Sequence, residues 1–398
     1  MNNLVALCAV GAEKILGNEI KHLGYKLAPS AAEKIPGRVA FSGDDDAMFL
    51  ANLCLRTADR VFLEVAKFSA DNFDLFFDGI YAAPWQNYFK KDSRVVVDKV
   101  RIFKSRLDSE HTIQSMAQKA IYKKLGDVWR MNSLPETGVQ SDVRIYIEND
   151  CVQALLDLSG QPLHKRGYRT QGGLAPMRET TAAILLQMML WRRKIPLHDP
   201  FCGSGTIPIE ALLYACDVAP GLGRNFAIED LPFFNKRRAE ELRRIEAEKI
   251  RTDVEIRITG SDIEESAIEN ARQNVERACV IAGRALQSIG SDAKIKRVDF
   301  VRADFKDLIA PYPQGLLLSN PPYGERLGDA AEAEILYKEM ACLFENFPNW
   351  QMGFITSHRE FQKCVGHYAP LLKNLKAGKL NTCFYIYNSN ANANSHRS

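Results

Sequence analysis

One segment indicates the fold: Leu197-His198-Asp199-Pro200-Phe201-Cys202-Gly203-Ser204-Gly205-Thr206. Its apolar start predicts a short buried strand, and its Gly-x-Gly turn leads into a predicted helix from Ile207 to Ala215. Glycines let the backbone approach a ligand closely, and a helix N-terminus offers free N–H groups. The segment lacks the third glycine of a dinucleotide fingerprint and the Gly-Lys-Ser/Thr ending of a phosphate loop. Because Asp199 would repel phosphates, the pattern favours a cationic, phosphate-free ligand such as S-adenosylmethionine.

Acidic residues follow two further predicted strands. Ile256 to Asp262 predicts a strand that ends in an acid, and Asp262 can therefore accept hydrogen bonds from both ribose hydroxyls of a nucleotide-like ligand. Val298 to Arg302 predicts the next strand, and Asp304 beyond it is a candidate acceptor for an adenine amino group. Each acid taken alone is more often a solvated loop residue. Since open α/β sheets bind ligands at the carboxyl ends of their strands, the acids together predict one site.

The tetrapeptide Asn320-Pro321-Pro322-Tyr323 follows an apolar run, Gly315 to Ser319. The run predicts a buried strand, and the prolines fix the turn after it. The Asn320 carboxamide and nearby carbonyls then offer acceptors, and Tyr323 offers a flat face. This set suits a planar base with an exocyclic amine, which donates to the acceptors while its ring stacks on the tyrosine. Taken alone, the residues fit an ordinary turn and a core tyrosine equally well.

With these motifs the chain resembles the THUMP-domain RNA methyltransferases, and among them most closely the bacterial large-subunit rRNA guanine-N2 methyltransferases of the RlmL type. The similarity extends from about Leu4 to Tyr387, with the N-terminal third matching by pattern only. The segments that carry it are Asp199 to Thr206, Asn320 to Gly328, Pro220 to Arg224 with Phe226, Glu229 and Pro232, Leu163 to Arg169, and Arg178-Glu179-Thr180.

The resemblance implies an α/β Rossmann-like class I methyltransferase domain preceded by an α+β RNA-binding region. We expect a ferredoxin-like domain at residues 1–66, a THUMP domain at 67–160, the methyltransferase domain at 161–388 and a disordered tail at 389–398. Periodicity adds local predictions within this frame. They are helices over Asp45–Leu55 and Ser109–Leu125 (capped by Ser109 and Gly126), a strand over Asp92–Arg101, a hairpin of Arg144–Ile147 with Gln153–Leu158, and an edge or hairpin strand at Cys383–Tyr387.

The resemblance also implies the site. The cofactor is expected to be S-adenosyl-L-methionine, with S-adenosyl-L-homocysteine as product. The residues expected to bind it are Arg178, Thr180, Asp199, Pro200, Cys202, Gly203, Gly205, Thr206, Asp262, Ile263, Asp304, Phe305 and Asn320. The residues expected to form the catalytic site are Asn320, Pro321, Pro322 and Tyr323. No metal is expected, because the nine cysteines form no Cys-x-x-Cys pair and do not cluster with the seven histidines.

The charge distribution indicates a nucleic-acid partner more clearly than the net charge of +3 does. Residues 99–130 hold eight basic and three acidic side chains, although a solvated helix face would show the same pattern. The linker after residue 160 adds basic and aromatic residues. The residues expected to bind RNA, and 23S rRNA in particular, are Lys104, Lys119, Lys123, Lys124, Lys165, Arg166 and Arg169.

Two stretches depart from the family pattern. Val280 to Lys294 is longer than the usual link after the cofactor helix, and it is expected to extend that helix. Lys236 to Arg251 predicts an inserted helix, and its charges on most faces favour a solvated one.

Length and composition limit the class of protein. A chain of 398 residues suggests two or three domains, and an apolar content of 46% is globular. No apolar stretch is long enough to span a membrane, and the start resembles no signal peptide. We therefore expect a cytoplasmic protein with reduced cysteines. The sequence gives no oligomeric state.

The expected reaction is direct methyl transfer to a guanine exocyclic amine, helped by alignment and by placed acceptors. The base must leave its stack to reach the site. Adenine-N6 methylation of RNA or DNA stays open, because both reactions methylate an exocyclic amine. A catalytically silent RNA-binding or assembly factor is the alternative of another class. A nicotinamide dehydrogenase is disfavoured by the glycine pattern.

Overall fold

The chain forms two seven-stranded sheets, one from each half of the sequence. The structure is a computed structural model, and it describes residues 1–28, 36–169, 177–322, 330–377 and 380–388. Tyr323 and the predicted tail 389–398 lie outside these ranges. Among the helices that are described, none is both long and apolar enough to cross a membrane.

The first sheet has the strand order β2-β3-β1-β4-β7-β6-β5. Its strands are β1 (Asn2–Leu7), β2 (Lys26–Leu27), β3 (Arg38–Gly43), β4 (Arg60–Ser69), β5 (Arg94–Phe103), β6 (Gln140–Glu148) and β7 (Cys151–Asp157). Its helices are α1 (Glu13–His22), α2 (Asp45–Cys54), α3 (Phe73–Ala82) and α4 (Glu110–Trp129), and a 3-10 turn covers Trp85–Asn87. The predicted helix at Asp45 and the predicted strand near Asp92 are confirmed.

The predicted hairpin is β6 paired antiparallel with β7. Asn149 and Asp150 form its two-residue turn with φ of 51° and 60°. Two consecutive positive φ angles are what the right-handed strand twist favours in a tight hairpin, and Asn and Asp tolerate them. The turn residues thus explain why the sequence predicted this element correctly.

Helix α4 begins where the sequence predicted and ends later. Ser109 caps it, since its hydroxyl accepts the Thr112 N–H at 3.2 Å. The predicted C-cap at Gly126 is wrong. The helix continues for a further turn to Trp129 and ends at Arg130, which has a left-handed φ of 56°. A Cβ on Gly126 would lie 2.9 Å from the carbonyl oxygen of Met131, so this glycine serves close packing rather than termination.

Strand β4 connects the two units predicted in the N-terminal half. It pairs with β1 on one side and with β7 on the other, so strands from both units share one sheet. Residue 66, where the first boundary was predicted, lies within this strand. The division into a ferredoxin-like and a THUMP domain stays a prediction.

The second sheet has the order β10-β9-β8-β11-β12-β14-β13. Its strands are β8 (Leu197–Asp199), β9 (Ile258–Asp262), β10 (Asp299–Arg302), β11 (Leu316–Ser319), β12 (Gln351–Thr356), β13 (Leu371–Ala377) and β14 (Leu380–Tyr387). Its helices are α5 (Glu179–Met188), α6 (Thr206–Ala215), α7 (Lys236–Glu248), α8 (Glu265–Gln287), α9 (Ala330–Glu339), α10 (Cys342–Asn346) and α11 (Phe361–Val365). Two 3-10 turns cover Ala227–Asp230 and Phe305–Asp307.

The strand order of this sheet reverses between β8 and β11, because the chain first builds outward through β9 and β10 and then returns. Strands β8 to β12 are parallel, and ligands of such sheets bind at the reversal, beyond the carboxyl ends. The predicted late strand forms a hairpin with β13, as expected. The alternative of an edge strand is wrong, because β14 lies between β12 and β13.

The two stretches that depart from the family pattern are both helical. The stretch from Val280 continues α8 to Gln287, as predicted. Helix α7 is not the solvated helix predicted from its charges. It packs against α2 and α8, with Ala239, Leu242 and Ala247 buried. Three small or apolar residues at helical spacing suffice to hold it, since the long charged side chains extend outward around them.

The two sheets are joined by buried contacts. Arg56, after α2, is buried and donates to the carbonyl oxygens of Leu213 and Val218, at 3.3 and 2.6 Å. Gly221 donates its N–H to the carbonyl of Leu53 at 2.9 Å. One apolar cluster contains side chains from both halves of the chain. These contacts hold the N-terminal half in one orientation against the second sheet.

Gly221→Ala should destabilise the folded protein by about 1–3 kcal/mol, the usual range for an overpacked contact. The added Cβ would lie 2.8 Å from the Leu53 Cα and 2.6 Å from the Phe226 ring, so the two halves would have to separate slightly. Denaturant unfolding followed by circular dichroism measures the loss.

Gly283→Ala is the matched control, because its Cβ meets no described atom within 4 Å. Gly283 lies inside α8, and alanine should stabilise the helix by about 0.5–1 kcal/mol. Equal effects of the two substitutions would contradict the interface described above.

Candidate active site

The glycine turn between β8 and α6 is attached to β9 by its backbone. Cys202 donates its N–H to the carbonyl of Ser261 at 2.9 Å. Gly203 and Gly205 have φ of 53° and 82°, which glycine adopts without strain. On α8, the buried Asn274 donates its side-chain amide N–H to the carbonyl of Ser204, between the two glycines, at 2.9 Å. The turn is therefore held from two neighbouring elements.

The glycines serve two purposes. A Cβ on Gly205 or on Gly260 would lie 2.8 or 2.9 Å from the Phe300 ring, so these two let the turn pack on the sheet. A Cβ on Gly203 would meet no described atom within 4 Å. Gly203 therefore faces open space, where a ligand can reach the backbone.

Two acids lie at the carboxyl ends of adjacent strands, since Asp262 is the last residue of β9 and Asp304 follows β10. Asp262 accepts the Gly203 N–H at 2.9 Å with one oxygen and the Glu264 N–H at 3.1 Å with the other. Asp304 accepts the Lys306 N–H at 3.0 Å. Both side chains are half-buried. Since a carboxylate offers about four lone-pair sites, each acid keeps acceptors for a ligand.

Apolar side chains flank these acids. Ile263 is 56% exposed directly after Asp262, and Phe305 packs on Phe201 with ring centres 5.0 Å apart. Pro200 and Cys202 are buried in the turn. Burial raises the pKa of the Cys202 thiol, so this cysteine packs as a protonated side chain and is no nucleophile.

Asp199 lies at the reversal between β8 and β11. Its side chain is 2% exposed and accepts the Phe201 N–H at 3.1 Å. It also accepts the hydroxyl of Ser319, the last residue of β11. Burial raises the pKa of Asp199 to about 7, a rise that both hydrogen bonds oppose and that Asp262 increases. The neighbouring His198 stays neutral, because burial lowers its pKa to about 4.

The Asn-Pro-Pro turn follows β11 beside this carboxylate. Asn320 and Pro322 are half-buried and Pro321 is buried. The hydroxyl of Tyr337, on α9, donates to the carbonyl of Pro322 at 3.0 Å. It lies 3.1 Å from the hydroxyl of Thr356, the last residue of β12. The turn is thus held from β12 and α9, while Tyr323 lies outside the described residues.

The predicted cofactor residues before β8 have partners in the N-terminal half. Thr180 donates its hydroxyl to Asp59 at 2.8 Å, and Arg178 lies 3.4 Å from the same carboxylate. Arg169 donates to the hydroxyl of Thr206, the first residue of α6. The last of these contacts connects the linker to the start of the glycine turn. The contact of Arg178 and Thr180 with a cofactor stays a prediction, as does that of Arg169, whose side chain is 12% exposed, with RNA.

The prediction of RNA binding needs one correction. Arg166 is 3% exposed, donates to the carbonyl oxygens of Leu163 and Arg56, and lies 3.6 Å from Glu210. A guanidinium enclosed in this way cannot reach a phosphate. Its place in a basic run predicts RNA binding, but its contacts with Arg56 and Glu210 join the two halves of the chain.

The lysines that are predicted to bind RNA lie on the surface. Lys104, Lys119, Lys123 and Lys165 are exposed or half-exposed, and Lys124 is half-buried. Lys124 and Lys123 lie over the ring of Tyr81, on α3, at 5.2 and 5.6 Å from its centre. Lysine and aromatic side chains therefore share the surface between α3 and α4.

Sequence reasoning missed four residues that position the site. Ser319 binds Asp199, and Asn274 binds the glycine turn. Tyr337 binds the carbonyl of Pro322, and Asp59 binds Arg178 and Thr180. Each is an ordinary polar residue within a strand, helix or loop, and no local pattern distinguishes it. A cavity of about 560 Å³ between α2 and α7 shares no lining residue with this site.

Replacing Asp199 should change how stability depends on pH. The ordinary pKa of aspartate is about 3.9, so between about pH 4 and 7 the folded protein holds a proton at Asp199 that the unfolded chain has released. Stability therefore falls as pH rises through this window. The asparagine in Asp199→Asn cannot titrate. The free energy of unfolding of this variant, relative to that of the parent, should therefore rise by on the order of 2–4 kcal/mol between pH 4 and pH 8.

Thermal or denaturant unfolding at several pH values measures the difference. Asp292→Asn is the control, because Asp292 is exposed. A parent and an Asp199→Asn variant with parallel pH profiles would show that Asp199 is ionised in the folded protein.

Comparison with known proteins agrees with this geometry. The model of the RMKL-like methyltransferase domain matches residues 166–383, and that of the RlmL ferredoxin-like domain matches residues 3–62. A crystal structure of a proposed methyltransferase in complex with SAH has a TM-score of 0.83 and 33% identity, and covers 97% of this chain and 98% of that one. SAH is the product that S-adenosyl-L-methionine leaves, in agreement with the predicted cofactor class.

Two curated relatives match almost the whole chain. The YpsC protein of Bacillus subtilis (strain 168), whose name records a proposed RNA methyltransferase activity, is 35% identical over 96% of this chain and 95% of its own length. The ribosomal RNA large subunit methyltransferase K/L of Shewanella frigidimarina (strain NCIMB 400) is 30% identical over 99% of this chain. The chain spans about half of that relative, 54% of its length. The predicted family and fold class are confirmed: the chain belongs to the RMKL-like methyltransferase family and carries an RlmL-type ferredoxin-like domain at its N-terminal end.

Proposed function

We propose that this protein transfers a methyl group from S-adenosyl-L-methionine to the N2 amine of a guanine in RNA, and that the RNA is 23S rRNA of the large ribosomal subunit. The observation that carries the proposal is the junction of two turns at the strand reversal. The glycine turn and the Asn-Pro-Pro turn meet there through the Asp199–Ser319 hydrogen bond. The K/L relative, named for large-subunit rRNA, supports the substrate.

The residues at the strand ends fit this cofactor. Gly203 leaves open space beside the turn, and Asp262 with Asp304 keeps acceptors for ribose hydroxyls and an adenine amine. Asp199 carries the carboxylate nearest the reversal, where a positively charged group would favour its ionised form. When bound, the cofactor supplies a methyl group activated by a sulfonium. The turn contains no lysine or arginine to hold phosphates, consistent with this ligand.

The Asn-Pro-Pro turn would bind the target amine. The lone pair of a guanine amine is delocalised into the ring, so the amine is a weak nucleophile. Acceptors on Asn320 and on the Pro321 carbonyl would hold its N–H groups and direct the lone pair toward the methyl group. The same acceptors stabilise positive charge on nitrogen during transfer. Tyr323 is proposed to stack on the base.

RNA would be held by the N-terminal half. Lys104, Lys119, Lys123 and Lys124 belong to its surface, and Lys165 extends that surface into the linker. Such contacts give affinity for the phosphate backbone without reading sequence. A protein that modifies 23S rRNA would work in the cytoplasm. Adenine-N6 methylation remains the second candidate, because the acceptors on Asn320 fit either amine.

Incubating the purified protein with 23S rRNA and S-adenosyl-L-methionine, followed by nucleoside mass spectrometry, should give N2-methylguanosine. Asn320→Ala should retain cofactor affinity and lower the single-turnover rate by about 10²–10³-fold, as expected for one lost partner of a transition state. If N6-methyladenosine were the product instead, the target base would be adenine rather than guanine. Cofactor binding without any methylated nucleoside would favour the silent assembly factor.

Tyr337→Phe should lower the turnover of methyl transfer about tenfold and leave the KM for S-adenosyl-L-methionine nearly unchanged. Without the hydroxyl, the Pro322 carbonyl loses its donor, and small displacements of catalytic groups are costly. Steady-state kinetics separates the two parameters.

Tyr385→Phe is the matched control. Tyr385 is also buried, and its hydroxyl donates to the carbonyl oxygens of His358 and Arg359 rather than to the turn. An equal fall in turnover for both variants would show that Tyr337 acts through general stability.

A further inference from the structure

Strand β5 is an edge of the first sheet, and its two halves differ. Side chains of α4 cover the first half: Gln118 and Tyr122 bind the backbone of Val95, and Gln114 with Gln118 binds that of Val97. A bulge follows between Val97 and Lys99. Covering an edge in this way prevents unwanted strand pairing. The described side chains that cover the edge stop at this bulge, so the second half has a different surface.

The second half presents cations and an aromatic ring on one face. Lys99, Arg101 and Phe103 alternate with the inward-facing Val100 and half-buried Ile102. Alternate residues of a strand point the same way and lie about 7 Å apart. Phe103 is 57% exposed, among the most exposed large apolar side chains described in this half of the chain. The ring of Phe103 is therefore accessible to a ligand.

Phe103 is followed by Lys104, which has a left-handed φ of 48°. This conformation directs the lysine back, so that its amine lies 5.2 Å from the centre of the Phe103 ring. A left-handed backbone is uncommon outside glycine, asparagine and aspartate. The ring and the cation are thus presented to solvent together.

The hairpin turn of β6 and β7 holds this arrangement. Asp150 accepts the Ser105 hydroxyl at 2.7 Å and the Arg106 N–H at 2.8 Å. Asn149 donates its N–H to the Phe103 carbonyl at 3.2 Å. The backbone on both sides of Lys104 is fixed, so the ring and the cation would lose little freedom on binding a ligand.

Two cations lie on the same face of β5 as the ring. Lys99 and Arg101 line a depression of about 480 Å³ with Asp98, Glu110 and His111, and Asp98 is paired with Arg144 at 2.9 Å. Burial lowers the pKa of Lys99 most, Arg101 and Arg144 lower it further, and Asp98 and Glu110 oppose the shift. Glu110 pairs with Arg101 at 3.0 Å, and both are half-exposed, so a phosphate can replace this carboxylate.

We infer that Lys99, Arg101, Phe103 and Lys104 form a binding surface for single-stranded RNA, on which Phe103 stacks an unpaired base while the cations bind the adjoining phosphates. The inference rests on the RNA substrate of the proposed function and adds a contact that requires an unpaired base. Alternating cations beside one aromatic ring suit a nucleic-acid strand. A protein partner would need a wider apolar face.

The test places a reporter at the ring. In Phe103→Trp, saturation with an unlabelled single-stranded RNA 12-mer should quench the added tryptophan fluorescence, measured against the parent with its four native tryptophans. The same sequence annealed into a duplex should quench it much less, because its bases are already stacked. Val139→Trp is the matched control: Val139 is also 57% exposed but precedes β6, about 30 Å from the other end of that strand.

Binding of a fluorescein-labelled copy of the 12-mer gives a second measurement. Phe103→Ala should weaken it about 5- to 100-fold without changing its dependence on salt, whereas Lys104→Ala should reduce the salt slope by up to about one unit. Quenching equal in Phe103→Trp and Val139→Trp, or unchanged affinity of Phe103→Ala, overturns the inference. Both measurements omit the cofactor. RNA that quenches the added fluorescence of Phe103→Trp but is never methylated would therefore overturn the proposed function and leave this surface standing.

Discussion

The structure depends on one buried carboxylate. Asp199 stands where the strand order of the second sheet reverses, and it binds the N–H of Phe201 in the glycine turn and the hydroxyl of Ser319 before the Asn-Pro-Pro turn. The two turns belong to segments 120 residues apart in the chain, and this contact sets their spacing. Burial makes the negative charge unfavourable, which is why the pKa of Asp199 rises to about 7. A carboxyl that would favour a proton in isolation is therefore placed where a cationic ligand can restore its charge.

The second constraint is the rigid connection between the two halves. Arg56 and Arg166 are enclosed, and their guanidinium groups donate to carbonyl oxygens at the junction. A buried cation destabilises a protein unless hydrogen bonds compensate for its lost hydration. Movement of one half against the other would break these bonds and would therefore be unfavourable. Arg169 extends the connection to Thr206 at the start of the glycine turn. A surface proposed to bind RNA would select a target only if its distance from the site of methyl transfer is fixed, and this junction fixes it.

The sequence predicted those parts of the molecule that local patterns determine. The glycine turn, the acids after β9 and β10, and the hairpin at Asn149 each need particular residue types at fixed spacing. What it could not predict depends on contacts between distant segments. Arg166 stands in a basic run and was assigned to RNA, but its burial is decided by Glu210 and Arg56. The charges of α7 suggested solvation, although Ala239 and Leu242 hold it against its neighbours. Tyr337 and Ser319 position the site with single hydroxyls, for which one sequence contains no signal.

In the proposed function, the chemistry and the choice of target are divided between the two sheets. The described turn offers acceptors and no general base. Methyl transfer would need no base at the outset, because an exocyclic amine becomes acidic only as it is methylated. In the proposed function, acceptors on Asn320 and Pro321 would fit the amine of guanine or adenine alike and would supply rate more than selectivity. Selection of one nucleotide in a long RNA must then come largely from where the RNA is held. In the proposed arrangement, Phe103 and the lysines on α4 would constrain the RNA strand, and the buried junction would transmit that constraint to the site. The exclusion of wrong targets would then be a property of the whole molecule rather than of the Asn-Pro-Pro turn alone.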